Sequence, residues 1–238
     1  MSSIETINLS SLALSLLPAL LVLLIFAHWS LNVMHSIYAL LRMLIQLALV
    51  GYALTFIFAT QNSGIILLIL CIMCTASSWI ALNTVTEQRL TLYKFAFLAI
   101  AMGGGLTLLL ITQGTLHLTP WYAPHYMVPI AGMIFANTMN SVSLAAERLH
   151  AEIQHHDSYI QPRNIAFQAA MIPVINSLFA VGLVSLPGMM TGQILSGISP
   201  FIAARYQIMV MAMIFGSSGL SAALYLTFVR PSYAKHYS

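Results

Sequence analysis

The sequence predicts an all-α protein that crosses the membrane several times, and three observations carry that prediction. About 60% of the residues are apolar and only 5% are charged, far from the roughly 25% charged of a soluble domain. Seven stretches are each close to the ~20 apolar residues that a helix needs to cross the hydrocarbon core. Few long polar runs separate them, which leaves no room in 238 residues for a soluble catalytic domain of about 100 residues. A single transmembrane domain over residues 1–238 is therefore expected.

The first predicted span is Leu9–His28, and no Lys or Arg precedes Arg42. It lacks the basic n-region of a signal peptide and is expected to be a permanent span. The second, Ile37–Phe58, carries His35, Tyr38, Arg42 and Gln46 three or four residues apart, hence on or just before one helical face. That face suits a pathway or ion-pair role, and snorkelling of Arg42 to the interface explains it equally well. The third, Gly64–Leu82, holds Cys71 and Cys74; without a second ligand pair they are expected to pack as small apolar residues. The fourth, Phe95–Thr112, contains Gly103, Gly104 and Gly105, which read as a close helix contact or as a weak point in the helix.

The fifth span, Met127–Ala146, places Asn137, Asn140, Ser141 and Glu147 on or near one stripe that Met133 continues. Hydrogen bonding between helices accounts for such a stripe, and so does the lining of a hydrophilic path. The sixth, Ala166–Leu186, carries Asn176 and Ser177 one turn beyond Pro173, whose missing N–H frees a carbonyl. It is expected to break at Pro187 and Gly188 into a segment rich in Met and Gly that holds Met189, Met190 and Gln193. Thioethers select soft metals such as Cu(I), so the Met pair admits a metal reading, against which stands ordinary gap-filling. The seventh span is Tyr206–Val229.

Basic residues lie between spans three and four (Arg89, Lys94), between five and six (Arg148, Arg163) and in the tail (Arg230, Lys235). The positive-inside rule places these on the cytoplasmic side and the N-terminus outside; only Arg205 disagrees. The net charge of +3 speaks to this topology and not to nucleic acid. The polar stretch Glu147–Gln168, with Glu147, Arg148, Glu152 and Arg163, is where a cytoplasmic partner would dock. Within it His155, His156 and Asp157 read as a solvated loop.

Absences narrow the function. No G-x-x-x-x-G-K-[ST] is present, so the chain has no Walker-type nucleotide site. No G-x-S-x-G and no H-E-x-x-H occurs, so intramembrane hydrolysis has no machinery. The energy for any transport must come from an ion gradient or a separate subunit.

Three stretches resemble the FetB-type iron-export permeases, a family that includes the plant aluminium-tolerance half-transporters. They are M-V-P-I-A-G-M-I-F-A-N-T-M-N-S-V-S-L from Met127 to Leu144, A-M-I-P-V-I-N-S-L-F-A-V-G-L-V-S-L-P-G-M-M-T-G-Q-I-L-S-G from Ala170 to Gly197, and R-Y-Q-I-M-V from Arg205 to Val210. The likeness runs from the R-x-x-x-Q-L at Arg42 to the tail. It implies an ABC-type permease subunit of the inner membrane that moves iron or another metal species out of the cytosol. It also implies a homodimer, and a separately encoded ATPase that uses the ATP, with no cofactor in this chain. Pathway residues would come from the polar groups of the matched motifs: Asn137, Asn140, Ser141, Asn176, Ser177, Met189, Met190 and Gln193, then Arg42 and Gln46. The chain departs from the family between spans five and six, where relatives carry a longer stretch with an L-G-A-(T/S)-P-like piece and this chain has only A-E-I-Q-H-H-D-S-Y-I-Q-P-R-N.

Two other classes compete. A gradient-driven carrier needs a titratable group within the bilayer, whereas Glu87, Glu147 and Glu152 sit at or beyond span ends. A membrane-embedded regulator would transport nothing, and would leave metal sensitivity unchanged when Asn137 or Asn176 is replaced.

Overall fold

The computed structural model describes residues 8–156 and 158–233, so Asp157 of the His-His-Asp run lies outside them. The described residues are helical apart from turns and one isolated bridge between Val181 and Ser185. They divide into two compact units, one up to Thr60 and one from Gln61 onward.

The N-terminal unit holds α1 (Leu9–Ser15), α2 (Leu17–His28) and α3 (Val33–Ala59). The first predicted span thus forms two helical pieces joined at Leu16, with Pro18 in the first turn of α2, where its missing N–H costs no helical hydrogen bond. Asn32 caps α3 by accepting from the His35 N–H at 3.1 Å, satisfying one of the donors a helix start leaves orphaned.

The second unit holds α4 (Ser63–Ala81), α5 (Arg89–Leu109), α6 (Pro124–Glu152), α7 (Ile160–Ala180), α8 (Gly188–Leu195) and α9 (Pro200–Tyr233). A π-helical turn, Leu110–Thr115, continues α5. At its centre α6 packs on α4, α5, α7 and α9, and α9 packs on α5, α6, α7 and α8. Large apolar residues such as Leu106, Leu109 and Leu110 stay exposed, as expected where lipid replaces water as solvent.

The three consecutive glycines divide the work. A Cβ on Gly103 would lie 2.4 Å from Ser221 Oγ and 2.8 Å from the Ser221 backbone nitrogen, and one on Gly104 would lie 3.1 Å from Ile134. Gly103 therefore lets α5 and α9 approach, Gly104 lets α5 meet α6, and Gly105 has nothing within 4 Å. Gly103→Ala is expected to wedge α5 from α9 at a cost of about 1–3 kcal/mol. Gly105→Ala should instead gain up to about 1 kcal/mol of helix propensity. Thermal midpoints of the two purified variants in detergent would check the contrast; equal midpoints would refute the assigned contacts.

Two expectations are corrected. Among the described residues six helices, not seven, are long and apolar enough to cross a membrane: Ser10–His28, Val33–Ala59, Ser63–Ala81, Thr86–Thr115, Pro124–His155 and Pro200–Tyr233. The expected sixth span is realised as α7, 21 residues long, which starts within a polar run and includes Gln161, Arg163, Asn164, Gln168, Asn176 and Ser177. Its hydropathy is diluted by those side chains.

The helix break also moves. It falls at Ala180, where the carbonyl accepts from the Leu183, Val184 and Ser185 N–H groups at 3.3, 2.8 and 3.1 Å. Gly182, at φ +83°, supplies the left-handed backbone that such an ending favours. Pro187 is not the breaker but the residue before α8, and much of the Met- and Gly-rich segment is helical.

The polar stretch Glu147–Gln168 is largely helical. Glu147, Arg148 and Glu152 lie on the last two turns of α6, a 3₁₀ turn takes Ile153–His155, and Arg163 is in the first turn of α7. Good helix formers there extend α6 beyond the apolar stretch. The shortness of the segment leaves only a tight connection.

Candidate functional site

α6 and α7 each present a stripe with helical spacing to one cleft of about 320 Å³. From α6 come Asn137, Asn140, Ser141 and Leu144; from α7 come Ala170, Pro173, Val174 and Ser177. The turn after α7 adds Ser185 and Pro187, and α9 adds Met211 and Ile214. Each stripe follows the pattern i, i+3, i+4, i+7, which is why one face of each helix suffices.

The polar groups in this cleft are neutral. Asn137 is half-buried and donates Nδ2–H to the Met133 carbonyl at 2.8 Å, a bond that fixes the carboxamide while its Oδ1 accepts none among the described residues. Ser177 donates its hydroxyl to the Pro173 carbonyl at 2.9 Å. Ser141 is only 2% exposed, and Asn140 is exposed. Amide and hydroxyl oxygens are hard donors suited to a hard cation or to a hydrated or chelated one. With no carboxylate among the lining residues, they would bind such a species weakly, and a path must also release what it binds.

Other expected pathway residues stand elsewhere. Asn176 is exposed and is not among the cleft residues. Met190 lines a separate, mainly apolar groove with Leu178, Ile208 and Phe215. Met189 and Gln193 border a third cavity of about 410 Å³ with Met133, Tyr206 and Met209. Arg42 and Gln46 belong to α3 of the N-terminal unit.

At the ends of α6 and α7, Arg148 pairs with Glu152 at 2.7 Å, and His156 Nδ1 lies 3.7 Å from the same carboxylate. Arg163 donates to Asn164 Oδ1 at 2.9 Å. Among the described residues no three or more His, Cys, Asp or Glu side chains gather as metal ligands would. Two groups of residues escaped the sequence reading. Gln207 is 5% exposed, and among the described residues its Oε1 has no partner, nor do the buried hydroxyls of Ser218, Ser221 and Tyr225. Their spacing of three and four along α9 was the signal available.

Membrane-length helices around a neutral polar cleft define a multi-pass helical membrane protein. The chain belongs to the UPF0014 family, described as an uncharacterised protein family, whose profile matches residues 9–163 and 156–233. It is 36% identical over 215 residues to a UPF0014 membrane protein of Synechocystis, covering 82% of each chain. It is 33% identical to a protein of Escherichia coli named "probable iron export permease protein FetB", covering 98% of this chain and 95% of the other. It is 32% identical to the Arabidopsis thaliana protein ALUMINUM SENSITIVE 3, covering 79% of this chain and 73% of that one. No solved structure matches.

The profile match divides at residues 156–163, between α6 and α7. The match to the E. coli protein spans 253 positions against the 238 residues here, so that relative has residues this chain lacks.

Proposed function

We propose that this chain is the membrane-spanning subunit of an ABC-type exporter of the inner membrane that moves iron or another metal species out of the cytosol. It would act as a homodimer, driven by a separately encoded ATPase. The observation that carries this reading is the cleft. Two sequence stretches that mark the family, Met127–Leu144 and Ala170–Gly197, bring their polar side chains Asn137, Asn140, Ser141, Ser177 and Ser185 to one place. Near-complete coverage of a relative named as an iron export permease supports the substrate class.

The ends of α6 and α7 are the natural docking place for the ATPase. Closure of the nucleotide subunits would act on the cleft through these two helices, favouring one orientation by differential contact. The short α6–α7 connection means that the ATPase must contact helix ends carrying Glu147, Arg148, Glu152 and Arg163 and not a long loop.

A gradient-driven carrier gains no support from the cleft, which has no titratable side chain in its lining. The decisive experiment is co-purification with the ATPase encoded nearest this gene, followed by uptake of radioactive iron into inside-out proteoliposomes. Uptake is expected only with both subunits and ATP. Uptake by this chain alone would overturn the reading.

A further inference from the structure

The cavity between α6, α8 and α9 differs in chemistry from the cleft beside it. Three helices each contribute one thioether to its wall: Met133 from α6, Met189 from α8 and Met209 from α9. Methionine used as filler closes gaps, because its flexible chain adapts to whatever space is left. Here the three methionines border about 410 Å³ of space and leave it open. Gln193, one turn after Met189, lines the same cavity, and its Oε1 is buried without a hydrogen-bond partner among the described residues. An unpartnered buried acceptor needs an explanation, and a bound ion or molecule is one.

We propose that this cavity binds a soft monovalent metal ion, Cu(I) or Ag(I), through the thioethers of Met133, Met189 and Met209. Soft, neutral sulfur donors favour soft ions, whereas Fe(II), Zn(II) and Mg(II) prefer imidazole and oxygen; the lining sets one imidazole, His125, and the phenols of Tyr126 and Tyr206 against three thioethers. No carboxylate lines the cavity, so nothing there offsets a second positive charge, and a monovalent ion costs less to desolvate. Met190 provides an internal comparison, because it follows Met189 directly yet lines the apolar groove instead. The site is independent of the export reading, since binding here requires neither an ATPase nor transport. It does adjoin the cleft, because the Met133 carbonyl holds Asn137.

The test uses the full chain purified in detergent under anaerobic, reducing conditions, with Cys71→Ser and Cys74→Ser introduced so that thiols do not compete. Cu(I) is titrated against the chromogenic chelator bicinchoninate. The expected result is a single tight ion per chain, weakened at least about tenfold in a Met133→Leu, Met189→Leu, Met209→Leu variant and unchanged in Met190→Leu. Leucine conserves volume, so the fold should survive the exchange. X-ray absorption at the copper edge of the parent protein, which needs no methionine variant, should show sulfur neighbours. Nitrogen and oxygen neighbours alone, equal binding by the triple variant, equal loss in Met190→Leu, or no tight ion in the parent would each overturn the proposal.

Discussion

Replacing Asn137 and Asn140 together by leucine is expected to cut ATP-driven export at least tenfold while the protein still inserts and dimerises. Both carboxamides line the cleft, and Asn137 is held in place by its hydrogen bond to the Met133 carbonyl. A hydrogen bond or contact to a charged group is worth about 1.5–3 kcal/mol, and about 1.4 kcal/mol is a factor of ten. Losing one such contact suffices for the stated effect. Asn176→Leu is the matched control. It removes the same group from the neighbouring helix, but from an exposed position outside the cleft, so export should persist. Radioactive-iron uptake into vesicles, normalised to the amount of permease, reads both. Full export by the double variant, or equal loss with Asn176→Leu, would return these amides to a packing role.

The contrast between those two asparagines marks the limit of what the residues alone disclose. Hydropathy identifies spans because lipid contact is an average over about 20 residues, and six of the seven predicted stretches form helices both long and apolar enough to cross a membrane. The stripe on α6 was equally legible, since Asn137, Asn140 and Ser141 repeat with the helical period. What the period cannot supply is the face of α7 that meets it. Asn176 and Ser177 are neighbours in sequence, yet only Ser177 turns to the cleft.

The Met pair makes the same point. Consecutive residues of an α-helix point about 100° apart, so once α8 forms, Met189 and Met190 must face different cavities. Placing the helix break at Pro187 and Gly188 concealed this. That reading came from giving Pro187 the breaker's role. Proline is as well suited to starting a helix as to ending one, and the turn is made upstream by Gly182. Of the polar side chains that lower the hydropathy of α7, Gln161, Arg163, Asn164, Gln168 and Asn176 lie outside the cleft, and only Ser177 lines it.

Tyr225→Phe is expected to leave the protein as stable as before or more so, whereas Tyr225→Ala should cost about 3–5 kcal/mol. Tyr225 is fully buried on α9, and its hydroxyl has no partner among the described residues. Ser221 and Ser218, one and two turns earlier, carry hydroxyls in the same condition. Ser221 is also the residue against which Gly103 packs, so this face of α9 lies in the α5–α9 contact. The ring supplies dispersion contacts that a cavity would forfeit, and these matter within lipid because close packing replaces the hydrophobic driving force there. The hydroxyl contributes the opposite sign, since a buried donor left unsatisfied costs about 1–3 kcal/mol. Phenylalanine keeps the first and removes the second. Unfolding midpoints of the purified chain in detergent separate the two effects. Marked destabilisation by Tyr225→Phe would show that the hydroxyl is bonded after all, and would remove the case for reading the Ser218, Ser221 and Tyr225 face as plain packing.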